Sequence, residues 1–270
     1  MQKEDFGIFQ IFPTIQGEGR FIGEPLLLIR FDSCNLSCPF CDTKYALKKT
    51  TEEATRINDS FQIFDKQIKE KLFEIIQYNI DKHPKKNKRL HTIMITGGEP
   101  LLYPNIINLI NESYWVKKIL IETNGTLISK TVPFLAYNID NFEEKVHLTI
   151  SPKLDLACYN NIYNLELIID IFRSSNKILR KHKNIIDFKF IYSDQNKDSI
   201  LEFTQKLQIS PNRCFAMPLT PNMNIKNSLQ QFKENCKRTI DFCLEHNFRF
   251  SPREHIWLFD SNNKEEKLNI

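Results

Sequence analysis

No stretch of the 270-residue sequence is apolar for the length of a membrane-spanning helix, and the start, Met1-Gln2-Lys3-Glu4-Asp5, has no apolar core of a secretion signal. A cytoplasmic protein with no membrane partner is expected. Charge of one sign is also lacking: 37 basic and 33 acidic side chains leave a formal net charge of +4, too small for a dedicated nucleic-acid surface. No nucleic-acid partner is expected, and a small anionic substrate needs no more charge than this. A disulfide framework is missing as well. The seven cysteines are an odd number; three fall within Cys34–Cys41 while Cys158, Cys214, Cys236 and Cys243 are scattered, which is metal usage. Nor does a fourth Cys or His follow the cluster at zinc-ligand spacing, the next cysteine being Cys158.

What is present fits one globular domain. Hydrophobic residues at 41% and charged residues at 26% give enough apolar mass for a substantial core. Short apolar runs rich in branched residues recur at Pro25–Phe31, Thr92–Thr96, Lys118–Glu122, Val146–Ile150, Ile185–Tyr192 and Arg213–Pro218. Apolar on both alternations, they read as strands of a parallel sheet covered on both faces. Helical spacing of apolar residues marks Phe61–Lys82, Asn105–Tyr114, Leu165–Lys181, Lys197–Gln208 and Leu229–His246. The alternation predicts an α/β fold, a partial, open parallel β/α barrel of about six strands. The basic run Lys85–Arg89 reads as solvated surface, and residues 260–270 as a polar tail.

Four motifs stand at the carboxyl ends of four of these strands: the cysteine cluster, Thr96-Gly97-Gly98-Glu99-Pro100, Glu122-Thr123-Asn124-Gly125 and Ser151-Pro152-Lys153. Ligand sites in barrels and open parallel sheets form at that edge, so four loops should converge on one pocket. Cys34-Asn35-Leu36-Ser37-Cys38-Pro39-Phe40-Cys41 has the spacing C-x3-C-x2-C. Three thiolates hold three irons of a [4Fe-4S] cubane and leave the fourth open to a cofactor or substrate.

This spacing, with an aromatic residue before the last cysteine and a Gly-Gly-Glu-Pro segment later, resembles the radical S-adenosylmethionine superfamily. The resemblance implies that S-adenosylmethionine chelates the open iron and that one-electron reduction cleaves it to a 5′-deoxyadenosyl radical. Cys34, Cys38 and Cys41 are then the cluster ligands that generate the radical, while the protein aims it. Cofactor contacts are implied at Phe40, Cys41, Asp42, Gly98, Ser151, Pro152 and Lys153, and over the adenine at Met217, Pro218, Leu219 and Thr220.

A narrower resemblance comes from Phe12-Pro13-Thr14-Ile15-Gln16-Gly17-Glu18-Gly19, Arg30-Phe31 and Cys41-Asp42-Thr43, which together are similar to the 7-carboxy-7-deazaguanine synthase family of the deazapurine (queuosine) pathway. That family contracts the ring of 6-carboxytetrahydropterin to 7-carboxy-7-deazaguanine with loss of ammonia, needs magnesium, and regenerates S-adenosylmethionine. The resemblance implies substrate contacts at Ile15, Gln16, Gly17, Glu18, Arg30 and Thr96, with magnesium on Thr43. It further implies a homodimer and an electron donor such as flavodoxin or ferredoxin. Physically, Gln16 offers both an amide donor and an acceptor to a pterin edge. Arg30 can fork onto a carboxylate as Lys cannot, and Thr43 offers the hard oxygen that magnesium prefers. The expected layout is one domain over residues 1–259. It has a substrate-binding extension at 1–24, a core at about 25–220 and a closing helix and segment at 221–259. Arg253-Glu254-His255 resembles the Arg-x-His close of some members.

Two other functions share single features. A glycyl-radical activase has the cysteine spacing, but Gln16-Gly17-Glu18-Gly19 with Arg30 and Thr43 argues against it. A zinc-stabilised tRNA-binding module would use the basic loop; the charge balance and the missing fourth ligand argue against that.

Overall fold

A computed structural model describes residues 7–47, 70, 73–78, 91–154, 165–221, 228–254 and 256. Its centre is an eight-stranded sheet in sequence order. The strands are β1 (Ile8–Ile15), β2 (Pro25–Phe31), β3 (Thr92–Gly97), β4 (Lys118–Thr123), β5 (Val146–Ile150), β6 (Ile186–Tyr192), β7 (Cys214–Pro218) and β8 (Arg249–Phe250). Strands β2 to β8 run parallel and β1 is antiparallel to β2. The six expected strands are present to within a residue at each end, in an unclosed sheet.

The two edge strands were not expected. β1 contains Pro13, and a proline within an apolar run is tolerated only where a backbone N–H is not needed by a second neighbour, as at a sheet edge. β8 has two residues, too few for any periodic pattern to register.

The helices among the described residues are α1 (Pro104–Asn111), α2 (Ile128–Asn138), α3 (Phe142–Lys145), α4 (Leu165–Ser174), α5 (Asn176–Lys181), α6 (Lys197–Lys206) and α7 (Ser228–His246). α1, α6 and α7 stand where helical spacing placed them. The single helix expected over Leu165–Lys181 is broken at Ser175, where the hydroxyls of Ser174 and Ser175 both turn back onto the Ile171 carbonyl, a competition with the helical ladder that serine makes readily. α2 was not expected; Pro133 lies inside it, and an internal proline reads as a stop. Of the helix expected over Phe61–Lys82, residues 70 and 73–78 are described and helical. The basic run, Cys158, His255 and the tail lie outside the described residues. No described helix is long and apolar enough to cross a membrane.

Strand periodicity divides the sheet into two faces. On one, Ile93, Ile95, Ile119, Ile121, Leu148, Ile150, Phe188 and Phe190 join helix residues such as Ile107, Val132, Phe172 and Phe203 in the main core. On the other, register places Leu28 beside Met94 and Met94 beside Leu120. These pack with Leu26, Phe12 and Phe21 in a second apolar cluster. Two residues further along the same face, toward the carboxyl ends, stand Arg30 beside Thr96, and Glu122 beside Thr149. This inner face is thus apolar near its amino end and polar toward the other, which sets where a ligand can lie.

Candidate active site

The cysteine loop leaves the carboxyl end of β2. Gly98 explains its path: a Cβ there would stand 1.8 Å from the Ser33 carbonyl oxygen, so only glycine lets the β3 loop lie against the chain just before Cys34. The nearest neighbour at Gly98 is thus the protein's own backbone. Backbone hydrogen bonds from Gly98 to Phe31 (3.1 Å) and from Glu99 to Ser33 (2.7 Å) complete the seam.

Glu99 fastens this seam to β4. Its fully buried carboxylate accepts from the Thr123 hydroxyl at 2.6 Å and from the Asn124 and Leu101 backbone N–H groups at 2.7 and 2.9 Å. Burial pushes the Glu99 carboxyl above its ordinary range, and these donors oppose the shift. Asn124 donates to Asn35 at 2.9 Å, Asn35 to Thr126 at 2.8 Å, and Thr126 back to Asn124 at 2.7 Å. The Asn124 amide nitrogen also approaches Cys34 Sγ at 3.9 Å. Beneath the loop, the Tyr103 hydroxyl donates to Ser33 (2.8 Å) and Asp32 (3.1 Å). Three of the four motif loops are therefore tied to one another.

Cys34, Cys38 and Cys41 are free thiols on this loop. Burial, with Glu99 and the other cysteines adding to it, pushes the Cys34 thiol up to about 12, so a cationic partner is needed to keep it as thiolate. Iron suits that donor set. Among the described residues no group of three or more His, Cys, Asp or Glu is placed to hold a single metal ion; the thiolates of a cubane each bind a different iron and need no such convergence. Thr43 Oγ1 lies 3.4 Å from Cys41 Sγ.

On the cofactor side, Ser151 and Pro152 are buried at the end of β5, and Lys153 donates to the Ser151 hydroxyl at 2.9 Å. Met217 and Pro218 are buried at the end of β7; Leu219 is held by Tyr192 and Asn235. Phe40 is half-buried beside the core. Asp42, expected next to the cofactor, is engaged by Arg253, as is Thr220.

The substrate side is built from below. Arg20 forks onto Asp187 of β6 at 2.5 and 2.7 Å, and Phe21 packs edge-on against His147 at 4.8 Å. These anchors hold the loop after β1 under the inner face and direct Gln16 and Glu18 into it. Asp187 also accepts from His147 (2.8 Å) and Arg213 (3.3 Å). Burial raises its carboxyl, but the hydrogen bonds and charges of Arg20 and His147 outweigh this and hold it well below the usual carboxylate range. Gln16 is buried, with its amide nitrogen 3.5 Å from Glu122. Ile15, by contrast, is exposed. Arg30, which a lone strand-end arginine would place at the surface, is 5% exposed and donates to Gln10 at 3.1 Å.

Two further residues stand at the centre, Lys189 outside any motif and Arg253 from the Arg-x-His close. Lys189 of β6, 3% exposed, donates to Glu18 at 2.5 Å and to Glu122 at 2.8 Å. Arg253 donates to the other oxygen of Glu18 at 3.0 Å. The Glu254 N–H bonds to the Gly17 carbonyl and the Gly19 N–H to the Ser251 hydroxyl, so the segment after β8 clasps the loop after β1. The signal for Lys189 was in the strand itself: Ile-Asp-Phe-Lys-Phe-Ile-Tyr puts Asp187 and Lys189 on one face of an otherwise apolar strand, and buried charges are rare unless paired.

Comparison with known proteins follows the same lines. The model of the radical SAM superfamily matches residues 28–153. The 7-carboxy-7-deazaguanine synthase of Archaeoglobus fulgidus is 32% identical over 256 residues, covering 93% of this chain and 97% of that protein. The synthase of Rickettsia prowazekii is 30% identical over 252 residues, covering 92% and 86%. Among solved structures, QueE from Escherichia coli aligns with a TM-score of 0.52 at 18% identity, over 93% of this chain and 98% of that one, a likeness of fold.

Proposed function

We infer, for a chain that belongs to the 7-carboxy-7-deazaguanine synthase family of radical S-adenosylmethionine enzymes, that its inner face binds 6-carboxytetrahydropterin and contracts the ring to 7-carboxy-7-deazaguanine with loss of ammonia. The observation that carries this reading is the polar end of that face. Buried Arg30 stands on one side, on β2, and Gln16, Glu18 and Glu122 stand on the other, joined through Lys189 and the Gln16 amide. A cation and a set of hydrogen-bond acceptors are what a carboxylated heterocycle with N–H edges requires.

The roles come from the resemblance, with the placement of the residues in support. Cys34, Cys38 and Cys41 would hold the cluster, and the Gly98 loop with Ser151, Pro152, Lys153 and Met217 to Thr220 would hold S-adenosylmethionine. Bound there, the two supply reversible hydrogen-atom abstraction. The chain's own part is orientation. Arg30 would take the substrate carboxylate in a fork, with Thr96 beside it, while Gln16 and Glu18 would fix the opposite edge and Gly17 allow close approach. Thr43 would offer magnesium one hard oxygen, the ion completing its shell with water and substrate oxygens. Asp42, engaged by Arg253, is a ligand neither of magnesium nor of iron in this reading. A homodimer, a flavodoxin or ferredoxin donor, one domain over residues 1–259 and a cytoplasmic location accompany the reading and rest on resemblance and composition. Anaerobic turnover of the reconstituted protein with 6-carboxytetrahydropterin, S-adenosylmethionine and magnesium tests it. A product of the mass of 7-carboxy-7-deazaguanine is expected; cofactor cleavage with the pterin unconsumed would overturn it.

A further inference from the structure

We propose that Asn124 is a positioning residue for electron uptake: its side-chain amide donates to the Cys34 sulfur and so raises the reduction potential of the cluster that Cys34 helps to hold. The proposal rests on the cluster reading above and adds a residue to it. The amide nitrogen stands 3.9 Å from Cys34 Sγ, and its other partners fix which way it faces.

The Asn124 oxygen accepts from the Thr126 backbone N–H at 2.9 Å and from the Thr126 hydroxyl at 2.7 Å. A backbone N–H can only donate, so the oxygen must face Thr126 and the NH2 group must face the other way. One amide hydrogen goes to Asn35 Oδ1 at 2.9 Å. Asn35 is itself oriented, because its own NH2 group donates to Thr126 Oγ1 at 2.8 Å. The second Asn124 hydrogen is then left with Cys34 Sγ. The backbone N–H of Asn124, held by the Glu99 carboxylate at 2.7 Å, anchors the residue at the end of β4. Asn124 is 6% exposed, which leaves water little room to compete for that hydrogen. Closing the turn after β4 needs only the Asn124 oxygen; the NH2 group adds the tie to the cysteine loop and the approach to its sulfur.

Cys34 is a place where such a donor counts. Burial and the neighbouring Glu99 both disfavour negative charge on its sulfur, and reduction adds negative charge. One electron passes from an external one-electron reductant to the cluster, with no bond made or broken. Hydrogen bonds to the sulfurs are among the factors that set a cluster's potential, and a donor favours the more negative, reduced form. Cys34 already receives the Leu36 backbone N–H at 3.4 Å, a donor within its own loop. Asn124 brings a side-chain donor from 90 positions away in sequence, and a substitution can remove it without altering the cysteine loop.

The test is a potentiometric titration of the cluster-loaded protein without S-adenosylmethionine or pterin, the reduced cluster being read by electron paramagnetic resonance and iron measured in parallel. Asn124→Ala should keep its iron. At the wild-type midpoint its reduced-to-oxidised ratio should be lower by roughly tenfold, the worth of one hydrogen bond to a charged group, which places its own midpoint about 59 mV more negative for a one-electron couple. Thr126→Val removes the hydroxyl that links Asn35 to Asn124 but leaves the Thr126 backbone N–H and the Cys34 contact, and it should titrate with wild type. A wild-type midpoint in Asn124→Ala overturns the proposal. So does a Thr126→Val shift as large as that of Asn124→Ala, which traces the effect to a disturbed loop. Should Asn124→Ala lose its iron, Asn124→Ser decides, because its hydroxyl can close the turn onto Thr126 but stops short of Cys34. A lowered midpoint in Asn124→Ser supports the proposal; an unshifted midpoint, or loss of the cluster there too, overturns it. Wild-type protein that takes up no [4Fe-4S] cluster overturns the cluster reading and the proposal with it, whereas a loaded wild type matched by Asn124→Ala overturns the proposal alone.

Discussion

Asp187→Asn should destabilise the chain and loosen its substrate loop without touching the cluster. The carboxylate is buried and accepts from Arg20 twice, from His147 and from Arg213. An amide of the same shape removes the charge and points an NH2 group at donors. Breaking a buried ion pair from one side costs about 3–5 kcal/mol. The side chains of Arg20 and Arg213 are 28% and 26% exposed and can recover some hydration, which selects the lower end, about 3 kcal/mol. At about 2–4 °C per kcal/mol for a chain of this size, melting should fall by roughly 6–12 °C. The pH dependence has a definite sign. The folded pKa of Asp187 lies below its unfolded value, so the contribution is complete above about pH 5 and is lost as pH falls through the folded value. Urea unfolding at about pH 7 should show the full gap between wild type and variant, and at about pH 4 the gap should begin to close. Because Arg20 anchors the loop carrying Gln16 and Glu18, pterin KM should rise while iron content stays at wild type. A variant that melts within a degree of wild type, or a gap unchanged on acidification, would refute the reasoning.

Cys38→Ala should lose the brown [4Fe-4S] absorption and all turnover, since two thiolates do not retain the cubane, while Cys214→Ala and Cys243→Ala should keep both; iron analysis and visible spectra decide. Arg30→Ala should cost on the order of 2–5 kcal/mol in substrate stabilisation, roughly thirty-fold to several thousand-fold in kcat/KM, with Arg30→Lys recovering part and pterin-free cleavage of S-adenosylmethionine unchanged. Thr43→Ala should shift the magnesium titration of activity to higher concentration and leave the cluster spectrum intact; a superimposable titration would remove Thr43 from the metal.

The parallel core was legible because its strands, Pro25–Phe31 to Cys214–Pro218, are short runs of mostly apolar, branched or aromatic residues set between helical patterns, a pattern that tertiary context rarely reverses. β1 was not, because Pro13 and Gln10 break the pattern that an edge strand need not keep. The motif loops were legible as a group since each sits at a strand end, and their mutual ties through Glu99 and Asn124 follow from that geometry. Lys189 was not singled out, and Arg253 was matched to the Arg-x-His close without a role. Each acts through partners far away in sequence, Glu18 and Glu122 for Lys189 and Glu18 and Asp42 for Arg253, so no local spacing reveals those pairings. At Gly98 the packing adds a reason for glycine that the sequence does not show, the Ser33 carbonyl oxygen 1.8 Å from where a Cβ would stand.

The clasp between Arg253 and Glu18 spans 235 positions of sequence, and that distance has a consequence for synthesis. Chains emerge from the ribosome amino end first, and contacts of such separation form late because the intervening loop must close before they do. The cysteine loop, β3 and β4 can associate once about the first half of the chain is out. The loop bearing Gln16 and Glu18 then waits for β6 to deliver Lys189 and for the segment after β8 to deliver Arg253. The cluster pocket is therefore an early product of folding and the substrate pocket a late one, so a chain halted before residue 249 holds the ligands for a reactive metal centre with nothing fixed above which to use it.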